Sequence, residues 1–293
     1  MKKLHFFACL FVTVLTVSCA SDDSGENPGG ENFQSSFEYV SGGSTMNIIG
    51  SQASKSGNSM AVVAADAEGN SIQFEFDKFG NLGAVSASPA DFELPSVYSH
   101  QNFSGHYFTF NLIAIDEVNK TVKATFSGKL YEDDEDLNSD FTEISGSFWI
   151  NYTEVTPTVP GLEVSAKIDG NDWYSTNSYT TNGTGNWSTF IHHELGDDEY
   201  KIMLGFDDEN MSAGIHTFTP ATETIYATIA KYNLETKMYE KFDATGTLEI
   251  TGTETFGIIT IVSGTYSFTA VNPNDSSETI QVTNGKFKSV YSW

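Results

Sequence analysis

The sequence contains no arginine, and all fourteen of its basic residues are lysines. They stand against 39 acidic residues, so the formal net charge is −25. Nucleic-acid-binding surfaces need clustered positive charge, and bidentate recognition of phosphate or carboxylate needs the guanidinium fork of arginine. The composition therefore excludes nucleic acid as a partner. It indicates an exterior that is solvated and repels other molecules of the same charge.

Cysteine and long apolar runs are also scarce. The two cysteines are Cys9 and Cys19, and the longest apolar stretch lies around Cys9, between Leu4 and Leu15. That stretch is shorter than the roughly 20 residues that a membrane-spanning helix needs. If the segment before Cys19 is removed and Cys19 itself is modified, no thiol remains for a disulfide or a cysteine-ligated metal, and stability must come from burial and hydrogen bonding.

The N-terminus has the features of an export signal. Lys2 and Lys3 precede the apolar stretch, and small residues follow it in Thr16-Val17-Ser18-Cys19. This tetrapeptide resembles the lipobox of bacterial lipoproteins, which are cleaved before a cysteine that then carries the lipid. It departs from the commonest form because Leu15 lies four residues before the cysteine. The resemblance implies lipidation at Cys19; the alternative is an ordinary secretory signal with a chance cysteine.

The residues after the cysteine suggest a location. Ala20-Ser21-Asp22-Asp23 resembles the Ser-Asp-Asp tag with which some Gram-negative bacteria send lipoproteins to the outer face of the outer membrane. The resemblance implies a lipid-anchored protein that faces the cell exterior. Residues 20–36 are rich in Ser, Asp, Gly, Glu and Asn and contain few apolar side chains, so we expect a flexible tether.

The rest of the chain divides at Thr156-Pro157-Thr158-Val159-Pro160-Gly161, where two prolines and a glycine interrupt any sheet. We therefore predict five segments. They are a signal peptide (1–18), the lipidated cysteine and tether (19–36), a first β domain (37–155), a linker (156–161) and a second β domain (162–293).

The two halves share four short patterns in the same order. They suggest a tandem duplication of one domain, each copy closing on a Gly-x-Phe-x-x-x-Tyr strand. The paired segments are 57–58 with 185–186 and 72–77 with 202–207, then Phe126-Ser127-Gly128 with Val262-Ser263-Gly264, and finally 144–152 with 282–291.

Both halves are predicted to be all-β. Apolar and polar residues alternate in segments such as 247–251 and 265–270, which is typical of half-buried strands. Turn sequences recur at close spacing, and no segment carries a sustained helical period. We expect two antiparallel domains, each a β-sandwich or a flattened barrel.

The second half also resembles an uncharacterised β domain of bacterial surface lipoproteins, over residues 162–291. The matching residues are 166–173 at its start, with the Asp-Gly-x-x-Trp sequence that ends at Trp173, and 261–268 with 282–287 at its end. The first half retains only the closing part. That family has no established activity, so the resemblance implies fold and location alone.

The acidic segment 132–140 is the best metal candidate. Asp134, Asp136, Asn138 and Asp140 fall at alternate positions, the spacing of oxygen ligands in a calcium loop. Ser139 stands where such a loop needs glycine, and Ser145 stands where it needs a bidentate glutamate. The alternative is a charged hairpin tip between two strands. We therefore expect no cofactor and no calcium-specific binding.

Aromatic residues offer a candidate ligand platform. Trp149 lies between Phe148 and Ile150 on a predicted strand, so it points away from their face, and Trp187 follows a Gly-Asn turn. Either tryptophan could stack against a glycan, although β cores also consume many aromatic side chains. The adjacent His192 and His193 should point to opposite faces of a strand, which argues against a shared metal ion.

No catalytic residues are indicated. The chain has no Gly-x-Ser-x-Gly elbow, and with 39 acidic residues a carboxylate pair is uninformative. We expect a non-catalytic surface module for binding or adhesion, with a glycan, a peptide or a partner protein as ligand. Two weak copies on one tether would raise avidity. The alternative is a surface hydrolase that acts on polysaccharide through carboxylates.

Overall fold

The computed structural model describes residues 33–292 apart from 92, 184–185, 208–210 and 257–258, and for residues 186–187, 256, 259 and 291–292 it describes the backbone alone. Cys19, the signal peptide and most of the tether therefore lie outside the described residues. From Gln34 onward the chain forms one compact unit. Within the described part, no helix is long and apolar enough to span a membrane.

The first half contains ten strands and one helical turn. They are β1 (Ser36–Ser41), β2 (Ser44–Thr45), β3 (Ile48–Ser56), β4 (Ser59–Asp66), β5 (Ser71–Asp77), β6 (Leu82–Ser88), β7 (Val97–Tyr98), α1 (Ser104–Tyr107), β8 (Phe108–Asp116), β9 (Thr121–Tyr131) and β10 (Phe141–Glu154).

These strands form one sheet in the order β2-β1-β10-β3-β4-β5-β6-β7-β9-β8. Strand β10 also pairs with β9, so the sheet returns on itself as a flattened barrel. Strand β10 pairs with β3 in parallel over only three residues, Tyr152 to Glu154. Alternate side chains fill the interior, where Phe74, Phe126 and Phe148 pack together with ring centroids 4.5 to 6.3 Å apart.

The second half contains eleven strands. They are β11 (Glu163–Ile168), β12 (Asn171–Tyr174), β13 (Asn177–Gly183), β14 (Asn186–Leu195), β15 (Tyr200–Asp207), β16 (Gly214–Phe218), β17 (Tyr226–Asn233), β18 (Met238–Lys241), β19 (Asp243–Phe256), β20 (Ile259–Val271) and β21 (Thr279–Ser292).

Here the strands form two sheets. The front sheet has the order β12-β11-β21-β20-β19-β16, and the back sheet has the order β13-β14-β15-β17-β18. A second apolar core contains side chains from both sheets, among them Leu248 and Phe287 from the front and Leu204 and Phe206 from the back. This half is a β-sandwich. The prediction of an all-β chain of sandwich or flattened-barrel type is therefore confirmed.

The two halves share an order of strand pairing. The series β2-β1-β10-β9-β8 in the first half corresponds to β12-β11-β21-β20-β19 in the second. Gly146 on β10 lies opposite Phe126, and Gly285 on β21 lies opposite Tyr266. By this register the counterpart of Phe126 is Tyr266. Pairing Phe126-Ser127-Gly128 with Val262-Ser263-Gly264 was wrong by four residues, because a Ser-Gly dipeptide repeats without marking a position in the sheet.

The halves also contact each other. Phe79 stacks on Tyr174 with ring centroids 4.0 Å apart, and the backbone N–H of Gly105 donates to the carbonyl of Asp197 at 2.7 Å. The hydroxyl of Tyr232 lies 3.3 Å from His100 Nε2. The apolar cores remain separate, and residues 156–161 lie between β10 and β11. Independent folding of the two halves stays a prediction.

Candidate functional site

A groove with a volume of about 850 Å³ lies on the outer face of the front sheet. Strand alternation creates it. On β11, Val164 and Ala166 turn into the core, whereas Ser165 and Lys167 turn outward. The same alternation on β19, β20 and β21 gives an outward surface of polar side chains. We call this surface the outer groove.

One row of outward side chains crosses all six strands of the front sheet. Each residue is the direct cross-strand neighbour of the next, from β12 to β16. The row, called the groove row below, consists of Tyr174, Ser165, Lys286, Thr265, Glu249 and Ile215. At about 4.8 Å between neighbouring strands the row is about 24 Å long, so the groove suits an extended ligand that lies across the strands.

The groove row has apolar ends and a polar middle. Ile215 is 70 % exposed at one end, and Tyr174 lies at the other. Hydroxyls of Ser165 and Thr265 flank Lys286 in the middle, and Ser267, Thr247 and Thr283 add hydroxyls beside the row. Two of these hydroxyls donate within the sheet, Thr265 to Glu249 Oε2 at 3.5 Å and Ser267 to the carbonyl of Val282 at 3.1 Å, and their oxygens can still accept from a ligand rich in hydroxyls.

A smaller pocket of about 230 Å³ adjoins the groove at the junction of the two halves. The two cavities share Asp172 and Tyr174. The walls of the small pocket are aromatic and acidic. From the first half they include Phe79 and Asn81, and from the second half Trp173, Asp197 and Asp198.

Two carboxylates of this junction pocket are partly desolvated. The indole N–H of Trp173 and the backbone N–H of Tyr200 donate to Asp198 Oδ1 at 3.1 and 3.0 Å. Burial outweighs these bonds and raises the pKa of Asp198 to about 6. Burial also raises the pKa of Asp197, whose Oδ2 accepts from the backbone N–H of Leu82 at 3.3 Å. Both side chains therefore hold a proton more readily than an exposed aspartate.

Strand β14 carries ionisable residues on both faces. The ring of His192 lies against Phe206, in the core, and burial lowers its pKa to about 4. His193 stacks on Tyr179 with ring centroids 4.4 Å apart. Their different surroundings agree with the expected opposite directions. Glu194 accepts from the Ser175 hydroxyl at 2.7 Å, and burial raises its pKa to about 7.

The two tryptophans of the expected platform lie on different sheets. Trp149 is half-buried on the outside of β10, and the ammonium of Lys123 lies 4.5 Å from its ring centroid. Its indole N–H donates to Thr121 Oγ1 at 3.4 Å. Lys123 thus covers the face on which a sugar would stack. Trp187 lies near the start of β14, and its side chain is outside the described residues.

The acidic segment 132–140 joins β9 to β10 as a hairpin tip. Asp136 Oδ1 accepts from the backbone and side-chain nitrogens of Asn138 at 2.8 and 3.1 Å. The carbonyl of Asp134 accepts from the Gln101 backbone at 3.2 Å. Asp140 closes the hairpin through a backbone bond to Glu132. Within the described residues, no three His, Cys, Asp or Glu side chains form a group that could hold a metal ion.

Sequence reasoning did not identify the outer groove. Its residues are serines, threonines and single charges, which also occur on ordinary solvated strands. Alternation in 247–251 and 265–270 indicated which residues turn outward. The cross-strand register that places them in one row depends on pairing between distant segments.

Comparison with protein-family models, with curated proteins and with solved structures found no match. The resemblance of residues 162–291 to a lipoprotein β domain therefore stays a prediction.

Proposed function

We propose that this chain is a non-catalytic surface module that binds a glycan in the outer groove. The groove row carries the proposal. Hydroxyl side chains, one lysine and one glutamate cross the sheet in a line, between Tyr174 and Ile215. The open, polar groove favours a flexible, hydroxyl-rich chain over an apolar small molecule, whose pockets are mostly concave and apolar.

We further propose that the module arose by duplication and is held at the outer membrane by a lipid on Cys19, facing the exterior. The common pairing order of the two halves supports the duplication. In the first half the row that corresponds to Ser165, Lys286, Thr265 and Glu249 is Glu38, Ser147, Thr125 and Asn111. It contains no lysine, and Lys123 lies over the neighbouring Trp149. We therefore place the ligand in the second half.

The test is a glycan array probed with the protein without its signal peptide, followed by calorimetry on the glycans that bind. Thr265→Val removes one groove hydroxyl at nearly constant volume and should weaken binding about fivefold to tenfold, since a net hydrogen bond contributes about 1 kcal/mol. The matched control is Thr125→Val, an equally exposed threonine at the corresponding place in the first half. Equal losses in both variants, or no binding of any glycan, would refute the proposal.

The lipid anchor has its own test. Cys19→Ser should release the protein from the membrane fraction into the soluble one, because only the thiol of cysteine accepts the lipid. Mutation of Cys9 to Ser, inside the predicted signal, is the control and should leave the protein anchored. Retention of Cys19→Ser in the membrane fraction after washing without detergent would refute the lipoprotein proposal.

A surface hydrolase is the second candidate function, and the junction pocket favours it. Asp197 and Asp198 have raised pKa values, as a general acid in glycoside hydrolysis requires. If the pocket is hydrolytic, glycans bound by the protein should be shortened, with release of reducing ends. Asp198→Asn should then abolish release but keep the bond from Trp173. Stable glycan over prolonged incubation with wild type would exclude this candidate.

A further inference from the structure

Most lysines of this protein are neutralised or covered. Four of the twelve lysines in the described part form ion pairs, and six others lie over aromatic rings. Two have neither kind of partner among the described side chains: Lys286 and Lys288. In a chain of net charge −25, two neighbouring lysines with neither an ion pair nor an aromatic ring beside them differ from the other ten described lysines.

These two lysines are neighbours on the outer face of β21. Residues two apart on a strand point to the same face and lie about 7 Å apart. Lys286 is the central charge of the groove row, opposite Ser165 and Thr265. Lys288 lies opposite Glu163, whose carboxylate accepts from Asn58 Nδ2 of the first half at 2.7 Å. The two ammonium groups repel each other, and an anion bound between them would attract both and offset that repulsion.

The surroundings limit how much negative charge the ligand can carry. Glu249 lies two strands from Lys286 in the groove row, so the two residues are about 10 Å apart. On the opposite side of β21, Glu163 and Asp172 line the groove from β11 and β12. A polymer with a carboxylate on every unit would bring one of them against Glu249. A ligand with one acidic group and an otherwise neutral chain avoids this repulsion.

We propose that the outer groove binds a glycan whose neutral chain carries an isolated acidic sugar, with the carboxylate of that sugar between Lys286 and Lys288. This inference rests on the proposed glycan-binding function. The neutral sugars then extend along the groove row past Thr265 and Ser165. A lysine ammonium is a suitable partner because it is a compact point charge that needs no bidentate geometry.

Three sugars of defined charge test the proposal by calorimetry: 3′-sialyllactose with one carboxylate, lactose as its neutral core, and trigalacturonate with a carboxylate on every unit. We expect 3′-sialyllactose to bind tightest. Lys286→Gln should weaken its binding about tenfold, as expected for loss of a charge-assisted hydrogen bond. The double change Lys286→Gln with Lys288→Gln should reduce its affinity to that of lactose. Lys129→Gln, a half-buried lysine on β9, is the matched control.

Each result has one meaning, provided that thermal unfolding shows the variants folded. Equal affinity for 3′-sialyllactose and lactose, both sensitive to Thr265→Val, would overturn the acidic-sugar inference and leave glycan binding intact. Tighter binding of trigalacturonate, or of a polyglutamate peptide, would also overturn it. If none of the sugars binds, both the inference and the proposed function are refuted for these ligands and the glycan array decides the function.

Discussion

The corresponding sheets of the two halves have the same pairing order but different outer faces. In the second half, Lys286 lines the outer groove and Lys288 follows two residues later on the same face of β21, and neither has a counter-ion among the described residues. In the first half, the same two places after Gly146 are held by Ser147 and Trp149, and Lys123 lies over the tryptophan ring. In the first half, a side chain of the same sheet thus covers this part of the outer face. The other half leaves two lysines without an ion pair, so strand pairing is retained while the exposed alternate positions diverge.

The interiors differ as well. On β4 the inward residues opposite Phe74 and Ile72 are Val62 and Ala64. On β14 the corresponding residues, opposite Leu204 and Ile202, are His192 and Glu194. The first half therefore has an apolar interior at these places, whereas the second half buries two ionisable groups there.

The largest expected effects come from the two closing-strand phenylalanines. Phe148 and Phe287 occupy corresponding places in separate cores, and each is almost fully buried. Replacement of either by alanine should cost about 3–5 kcal/mol of unfolding free energy. The double variant should lose the sum of the two, because the sites share no neighbours. Chemical denaturation measures this, and strong non-additivity would show that the cores are coupled.

Glu194→Gln should change the pH dependence of stability. The pKa of Glu194 is raised to about 7, so the folded state holds its proton more tightly than the unfolded state. That stabilisation is complete below about pH 4.5 and is lost as the pH rises through about 7. The full effect is about 3 kcal/mol. Glu194→Gln keeps the acceptor for Ser175. Its stability relative to the wild type should therefore be higher at neutral pH than at pH 4.5.

His192 changes the stability with pH in the opposite direction to Glu194. Its pKa is lowered to about 4, so stability falls as the pH drops from about 6.5 towards 4. In the wild type the two groups partly cancel. Denaturation midpoints of Glu194→Gln between pH 4 and pH 7 should therefore fall more steeply towards acid than those of the wild type. Parallel curves for the two proteins would show that Glu194 is not buried in the folded state.

The two glycines opposite aromatic rings should differ in a smaller way. At Gly146 a methyl group would collide with the carbonyl oxygen of Glu38 and the ring of Phe126, whereas at Gly285 the three atoms nearest to it all belong to the ring of Tyr266. A ring yields more easily than backbone. Gly146→Ala should therefore cost more than Gly285→Ala, both within about 1–3 kcal/mol. The reverse order in thermal unfolding would contradict the register described here.

Features of the fold that depend on local sequence could be predicted, and features that depend on pairing between distant strands could not. The all-β class, the closing strands and the outward direction of Trp149 depend on local alternation, which the sequence displays directly. The closed barrel of the first half depends on the pairing of β10 with β3, between segments far apart in sequence. The groove row depends on five registers, of which those of β11 with β21 and of β16 with β19 join non-consecutive strands, so its residues could be assigned to a face but not to a common line.

The smallest expected effect concerns the acidic hairpin of the first half. Calcium that bound only the folded protein would raise its unfolding free energy by about 2.7 kcal/mol at a hundredfold excess over the dissociation constant. Its melting temperature would rise accordingly. We expect no difference between calcium and sodium at matched ionic strength, since Asp136 already accepts bonds from Asn138. A calcium-specific rise that Asp136→Asn abolishes would contradict this expectation.

Hydrogen exchange, measured with and without a glycan that binds, tests the central comparison most directly. The account predicts slower exchange in β11, β19, β20 and β21, which form the outer groove, and unchanged exchange in the corresponding strands β1, β8, β9 and β10. Because these two sets share their pairing order, each serves as the control for the other. Protection of the first-half strands, or equal protection of both sets, would contradict the assignment of binding to the second half.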